Sequence, residues 1–210
     1  MQFKTHSFRY AEVILNEPEF QNLFQELSAI ISDISDDDLI AKHNSYGEEN
    51  PEKIPKSLSK AINELLKIGF EENNWNPESA IFQNNDYTGQ TWRLDFAKDT
   101  ISIEVAFNHS TVIAWNLIKP VLASELNHVE KAIQTKIGVI ITATADLKVK
   151  GGFDGAIGTY EKFLDYLPPL QNMLTTPILL IGLEAPQSFH IVQEQYARRK
   201  KIGRVEMNLL

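Results

Sequence analysis

Trp92-Arg-Leu-Asp-Phe-Ala-Lys-Asp-Thr-Ile-Ser-Ile-Glu-Val-Ala-Phe107 is the stretch that decides the fold. Ile101, Ile103, Val105 and Phe107 alternate with Ser102, Glu104 and Ala106. That period of two sends the apolar set to one face of a strand and Glu104 to the other. A preceding strand over residues 92–96 carries Asp95 near its end, and residues 97–100 supply the turn, giving a β-hairpin with two carboxylates. Pairing the strands is expected to bring Asp95 and Glu104 together on one exposed face. Two carboxylates and a backbone carbonyl suit Mg²⁺, a hard cation that takes few protein ligands and keeps several waters. Sites of this kind hydrolyse phosphodiesters. The competing reading is a solvated hairpin face without chemistry. Against it stands the position of Glu104, because a carboxylate inside an apolar strand needs a partner wherever the sheet is covered.

Working outward, residues 112–134 give the longest expected helix, with Trp115, Ile118, Val121, Leu122, Leu126, Val129 and Ile133 as its stripe. Pro120 either kinks it or marks its true beginning. Residues 137–142 are a continuous apolar run, the mark of a buried central strand. Residues 143–158 hold Gly151, Gly152, Gly155 and Gly158 and read as a long loop; 159–167 read as a helix stopped by Pro168-Pro169, and 177–183 as a second buried strand. A third strand is expected at 189–192, before a basic tail. Toward the N-terminus, residues 18–32 read as a helix, 32–50 as an acidic loop, and 57–68 as a helix capped by Ser57 and ended by Gly69. Residues 75–91 read as loops around a short strand at 80–82. The order predicts an α/β fold, a mixed central sheet flanked by helices.

The length of 210 residues predicts one domain, 1–210, with a substantial core. The absence of cysteine excludes disulfides, zinc–thiolate sites and cysteine nucleophiles and agrees with a cytoplasmic location. Residues 1–10 do not read as a signal peptide, and the apolar runs are too short to span a bilayer, so no membrane partner is expected. A net charge of −8 counts against nucleic acid as a first guess. The sign is unevenly spread, however: Arg198, Arg199, Lys200, Lys201 and Arg204 cluster near the C-terminus, and Lys148 and Lys150 sit in the Gly-rich segment. A basic face on an acidic protein stays open.

Leu-Asp-Phe, seven residues, then Glu-Val-Ala-Phe resembles the active-site hairpin of the BglII and BstYI group of type II restriction endonucleases, members of the PD-(D/E)XK nuclease fold. Ala11-Glu-Val-Ile-Leu-Asn16 is similar to the family's opening helix, and Trp75-Asn-Pro-Glu78 stands where the family has a Trp and then an active-site polar residue. Ile137-Gly-Val-Ile-Ile-Thr142 resembles the central strand, Thr159-Tyr-Glu161 a helix start and Pro177-Ile-Leu-Leu-Ile-Gly-Leu183 the last core strand. Each motif is weak alone; the ordered set covers most of the chain. The resemblance implies Mg²⁺-dependent cleavage of both strands of a short palindromic double-stranded DNA site, with a GATC-like core, by a homodimer. By position, Asp95, Glu104 and the Val105 carbonyl would be the metal ligands. Glu78 would either help hold the water or a second ion, or be a loop carboxylate after Pro77.

The departure from the pattern is Ala106. Closest members carry Gln there and the wider fold Lys, to orient or activate the water. Four explanations stay open: a substituted chain, a slow enzyme, a non-cleaving relative that binds DNA, or a migrated lysine, with Lys98, Lys148 and Lys150 as candidates. On this reading Ala106→Gln or Ala106→Lys raises activity. The resemblance makes Asn108, His109 and Ser110 readers of base edges in the major groove, for which their donors and acceptors suit; N-capping of the long helix by Ser110 or Thr111 is the alternative. Thr144, Lys148 and Lys150 would belong to a second recognition loop, or to a plain surface loop. Tyr196, Arg198 and Arg199 would contact phosphates, or form a solvated tail. His128 and His190 read as structural. No P-loop or Rossmann glycine motif is present. The rival classes are a non-cleaving DNA-binding relative, a hydrolase of small phosphate esters, and an interaction protein without chemistry.

Overall fold

Six strands form one mixed sheet in the spatial order β1 (Phe3–Phe8), β6 (Ile178–Leu183), β5 (Ile137–Ala143), β4 (Ile101–Val105), β3 (Arg93–Lys98) and β2 (Asn76–Ala80). The structure is a computed structural model and describes all residues except 88, 126–128, 199 and 209–210. β4, β5 and β6 run parallel, whereas β1, β3 and β2 pair antiparallel with their neighbours. Every residue of β5 and β6 is buried, as their unbroken apolar runs require of strands covered on both faces.

Helices α2 (Gln21–Ser32) and α4 (Ser59–Glu72) cover one face. Their Leu27, Ile30, Ile31, Ile62, Leu66 and Phe70 share a core with Ile101, Ile103, Val139 and Ile141. Helices α5 (Ile113–Ser124) and α7 (Tyr160–Leu170) cover the other, where Ile113, Leu117, Phe163 and Leu167 meet Ala106, Ile140 and Leu180. The alternation of β4 therefore divides between two cores, not between a core and water. That corrects the expected exposed face. Three shorter helices complete the layers: α1 (Ala11–Leu15), α3 (Asp36–Ser45) and α6 (Ala145–Lys150). Among the described residues no helix is long and apolar enough to cross a membrane.

Several elements differ from the sequence expectation for identifiable reasons. The acidic stretch expected as a loop holds α3: Ser35 and Asp38 form a capping box, and Asp36, Asp37 and Asp38 sit in the first turn, where the helix dipole favours carboxylates. Gly69 lies inside α4 and not at its end. A Cβ there would stand 2.7 Å from Ile30 Cγ2, so the glycine lets α4 close on α2. The α4 N-cap is Leu58, without a side-chain cap bond, and Ser57 lies just before it. The long helix stops at Ser124, with Pro120 inside it. There Lys131 donates to the Leu122 carbonyl and Gln134 to the Ser124 carbonyl, satisfying the helix end from outside. Leu126 and His128 of the expected helix lie outside the described residues. Pro168 and Pro169 are within the last turns of α7. Past the sheet, β7 (Phe189–Ala197) and β8 (Lys200–Met207) form a separate antiparallel hairpin, so the expected basic tail is a strand. β1, an antiparallel edge strand of the sheet, has no counterpart in the sequence expectation.

Candidate active site

The β3–β4 hairpin pairs Lys98 with Ile101, Ala97 with Ser102 and Phe96 with Ile103, and one residue further sets Asp95 opposite Glu104. On the other side of β3, Glu78 falls between the Pro77–Phe96 and Ser79–Leu94 pairs, opposite Asp95. Glu78, Asp95 and Glu104 thus occupy one transverse row across β2, β3 and β4. Glu78 has a positive φ of 49°, a backbone conformation that L-residues seldom hold without a local reason. Arg93 Nη1 donates to its carbonyl at 2.9 Å, fixing the kink.

Asp95 is partly buried, and its Oδ2 accepts the Val105 backbone N–H at 2.6 Å. Burial raises its pKa, opposed chiefly by that N–H. Glu104 is only 2% exposed. Burial, followed by repulsion from Asp95, pushes its carboxyl up to about 8 against the pull of Lys119. Lys119 Nζ, from α5, donates to Glu104 Oε2 at 2.7 Å, while Oε1 is buried with no partner. A cleft of about 230 Å³ opens on the row, lined by Asn63, Lys67, Pro77, Glu78, Asp95, Phe96 and Val105. A larger hollow of about 620 Å³, between the N-terminus and residues 184–187, contains none of the row's carboxylates.

Among the described residues no three His, Asp or Glu side chains form a ready-made metal cluster. Mg²⁺ does not require one, since one or two carboxylates and several waters suffice. The orphaned Glu104 Oε1 behind a cleft-facing Asp95 is a hard oxygen donor set that fits such an ion.

The other expected site residues separate into three groups. Ala106 is buried among Ile113, Leu117 and Ile140; its N–H donates to the Ile141 carbonyl at 2.8 Å. None of the three expected lysines reaches the row. Lys98 donates to Glu26 and the Asn73 carbonyl at 2.7 and 2.8 Å, Lys148 to the Gly155 carbonyl at 2.6 Å, and Lys150 pairs with Asp146 at 3.0 Å. Lys119, which touches Glu104, was not among the candidates. The sequence carried no signal for it: Lys119 shares the inward face of Asn116, three residues earlier, but that face is known only once α5 is docked.

Asn108, His109 and Ser110 lie directly after β4 and beside the glycine-rich segment. Ser110 N donates to the Ala156 carbonyl at 2.8 Å, Gly158 N to the Asn108 carbonyl at 3.0 Å, and Asn116 Nδ2 to Asn108 Oδ1 at 3.0 Å. The cap at this turn is His109, whose Nδ1 accepts the Thr111 N–H at 3.2 Å, in place of the expected Ser110 or Thr111. Thr144 is buried, caps α6 through Leu147 N at 3.2 Å and donates to the Leu183 carbonyl at 2.9 Å, so its hydroxyl is engaged inside the fold. Lys148 and Lys150 stand in the last turn of α6, not in an open loop. Tyr196 and Arg198 belong to the end of the β7–β8 hairpin, apart from the sheet that carries the carboxylates. Arg199 and His128 lie outside the described residues, and His190 Nδ1 pairs with Asn208 Oδ1 at 2.8 Å.

A family model described as restriction endonuclease BglII/BglIII matches residues 3–183. Among solved structures, the chain is similar to the restriction endonuclease BglII complexed with a DNA 16-mer, at a TM-score of 0.66 and 18% identity, covering 99% of this chain and 100% of that one. It is also similar to free BglII, at a TM-score of 0.53 and 17% identity, with coverage of 99% and 100%. A search of curated proteins finds no match.

Proposed function

Because the chain belongs to the BglII/BglIII restriction endonuclease family, and is thereby a type II site-specific deoxyribonuclease, we propose that residues 1–210 act as one domain that binds duplex DNA as a homodimer. On this reading it cuts each strand of a short palindrome, with a GATC-like core, in a Mg²⁺-dependent reaction within the PD-(D/E)XK fold. One observation carries the catalytic part: Glu78 and Asp95 line the cleft, and behind them Glu104 keeps Oε1 buried and unpartnered. A buried polar oxygen without a partner is costly unless a ligand satisfies it.

Asp95, Glu104 and the Val105 carbonyl would hold the ion, which supplies charge neutralisation at the scissile phosphate and a water of lowered pKa. Asp95 lines the cleft, and the Val105 N–H fixes its carboxylate through Oδ2. Glu78 adds a third carboxylate at the cleft wall. Asn108, His109 and Ser110, beside residues 156–158, offer mixed donors and acceptors to base edges. Lys148, Lys150, Tyr196 and Arg198 serve phosphate contacts, which position the duplex without reading it. Support for DNA as ligand comes from the family and from the similar BglII structure, which is a DNA complex.

Incubation with a GATC-rich plasmid and Mg²⁺, against an EDTA control, tests this. Discrete Mg²⁺-dependent fragments are expected. The apolar packing of Ala106 favours one alternative, a relative that binds but does not cut. An uncut plasmid with specific duplex retardation would establish it, and neither cutting nor retardation would overturn both.

A further inference from the structure

Lys119 and Glu104 form an ion pair at 2.7 Å whose side chains are 12% and 3% exposed. Pairs this deep bring little net stability, since desolvating both ions offsets most of their attraction, and apolar replacements are often as stable. The geometry around this one is asymmetric. The ammonium engages Oε2 and leaves Oε1 bare. Two residues on, just past β4, the same face carries only the Ala106 methyl, packed against Ile113 and Leu117 of the helix that brings Lys119 in. One turn earlier on that helix, Asn116 holds Asn108. Helix α5 thus grips both the inner carboxylate and the segment leaving the strand. Lys67 also lines the cleft, but it is more than half exposed and pairs with Glu71 at 3.7 Å.

We propose that Lys119 is the positioning residue that completes this site: it fixes Glu104 through Oε2, leaves Oε1 for the ion that Glu104 would hold, and supplies from α5 the positive charge that Ala106 does not supply from the end of the hairpin. The proposal rests on the nuclease reading above.

Lys119→Gln keeps a donor for Oε2 and removes the charge. Steady-state cleavage of a duplex carrying the site is measured together with Mn²⁺ affinity by electron paramagnetic resonance. The variant is expected to lose about 100-fold in kcat, with KM and Mn²⁺ affinity within about threefold of wild type. Lys119→Cys gives a second route, since the chain has no other cysteine and alkylation with bromoethylamine rebuilds an ammonium at that place alone. Aminoethylation is expected to restore most of the lost kcat, and it decides the matter if the glutamine variant does not fold. Cleavage within about threefold of wild type in Lys119→Gln, or in Lys119→Cys before alkylation, overturns the proposal. A loss of Mn²⁺ affinity that matches the loss in kcat in Lys119→Gln, where a donor for Oε2 remains, overturns the role assigned to the Lys119 charge and with it the proposal. Wild type that binds duplex and Mn²⁺ but cuts nothing also overturns it while leaving the DNA-binding fold. Wild type that neither binds nor cuts removes the nuclease reading itself.

Discussion

The β3–β4 and β7–β8 hairpins each meet a short ion pair, and the two pairs behave as different chemistry. In β3–β4 the Lys119–Glu104 contact is 2.7 Å with side chains 12% and 3% exposed; in β7–β8 the Arg204–Glu194 contact is 2.6 Å with side chains 66% and 45% exposed. Distance is nearly the same, so burial makes the difference. Water screens the outer pair and leaves it worth little. The inner one sits between α5 and a second carboxylate, where burial raises the Glu104 carboxyl to about 8 despite the adjacent ammonium. An inner hairpin of this kind suits chemistry that needs fixed, poorly solvated oxygens. The outer hairpin, with Arg198, Lys200, Lys201 and Arg204 along its far half, suits long-range attraction to phosphates.

The strongest test of the contrast is Asp95→Ala. Cleavage is expected to fall by about 10³-fold, because one of the two facing carboxylates is lost. Thermal stability should change little: the Val105 N–H loses its acceptor, but Glu104 loses a like charge. Retained nicking would remove the hairpin from the chemistry. Next in size is Lys119→Met, which leaves a neutral Glu104 carboxyl buried without its donor and should cost about 1–3 kcal/mol in denaturant unfolding without metal. A loss below about 1 kcal/mol would show that the inner pair is no different from a surface one.

Glu104 also predicts a pH dependence. The folded chain keeps a proton that the unfolded chain releases near the ordinary glutamate value of 4.5, with the folded carboxyl at about 8. This contribution to stability is complete below pH 4.5 and is lost as pH rises to about 8. In EDTA, melting curves of the wild type should therefore decline across that window, and Glu104→Gln should flatten the decline. An unchanged slope would locate the pH dependence elsewhere.

The hairpin was legible because a period of two is written directly in residues 101–107, and β5 and β6 because fully covered strands need unbroken apolar runs. What covers the Glu104 face was not, since that depends on where α5 lands. A lysine before a proline in an apolar helix reads as its solvent side until the helix is docked. The acids of residues 33–38 read as a loop by their charge density, although Ser35 and Asp38 are spaced as a capping box. Thr144 in a glycine-rich stretch read as a ligand contact, whereas the nearer use of a threonine before Ala-Asp-Leu is to cap a helix.

Ala106→Gln separates packing from chemistry. The residue is 2% exposed among apolar side chains, so a longer polar group should destabilise by about 1–3 kcal/mol. With Lys119 already on Glu104, it should also fail to raise kcat. A faster enzyme would instead make the alanine the true deficit of the site.

The smallest effect belongs to the outer hairpin. Arg204→Ala breaks a 2.6 Å pair, yet both partners are largely in water, so the expected loss is about 0.2–1 kcal/mol in denaturant unfolding. Its effect on DNA is expected in the salt dependence: removing one phosphate-seeking charge should lower the slope of log K against log salt by about 1 and leave sequence preference intact. A change in preference without a change in slope would move base reading to β8 and erase the division between the two hairpins.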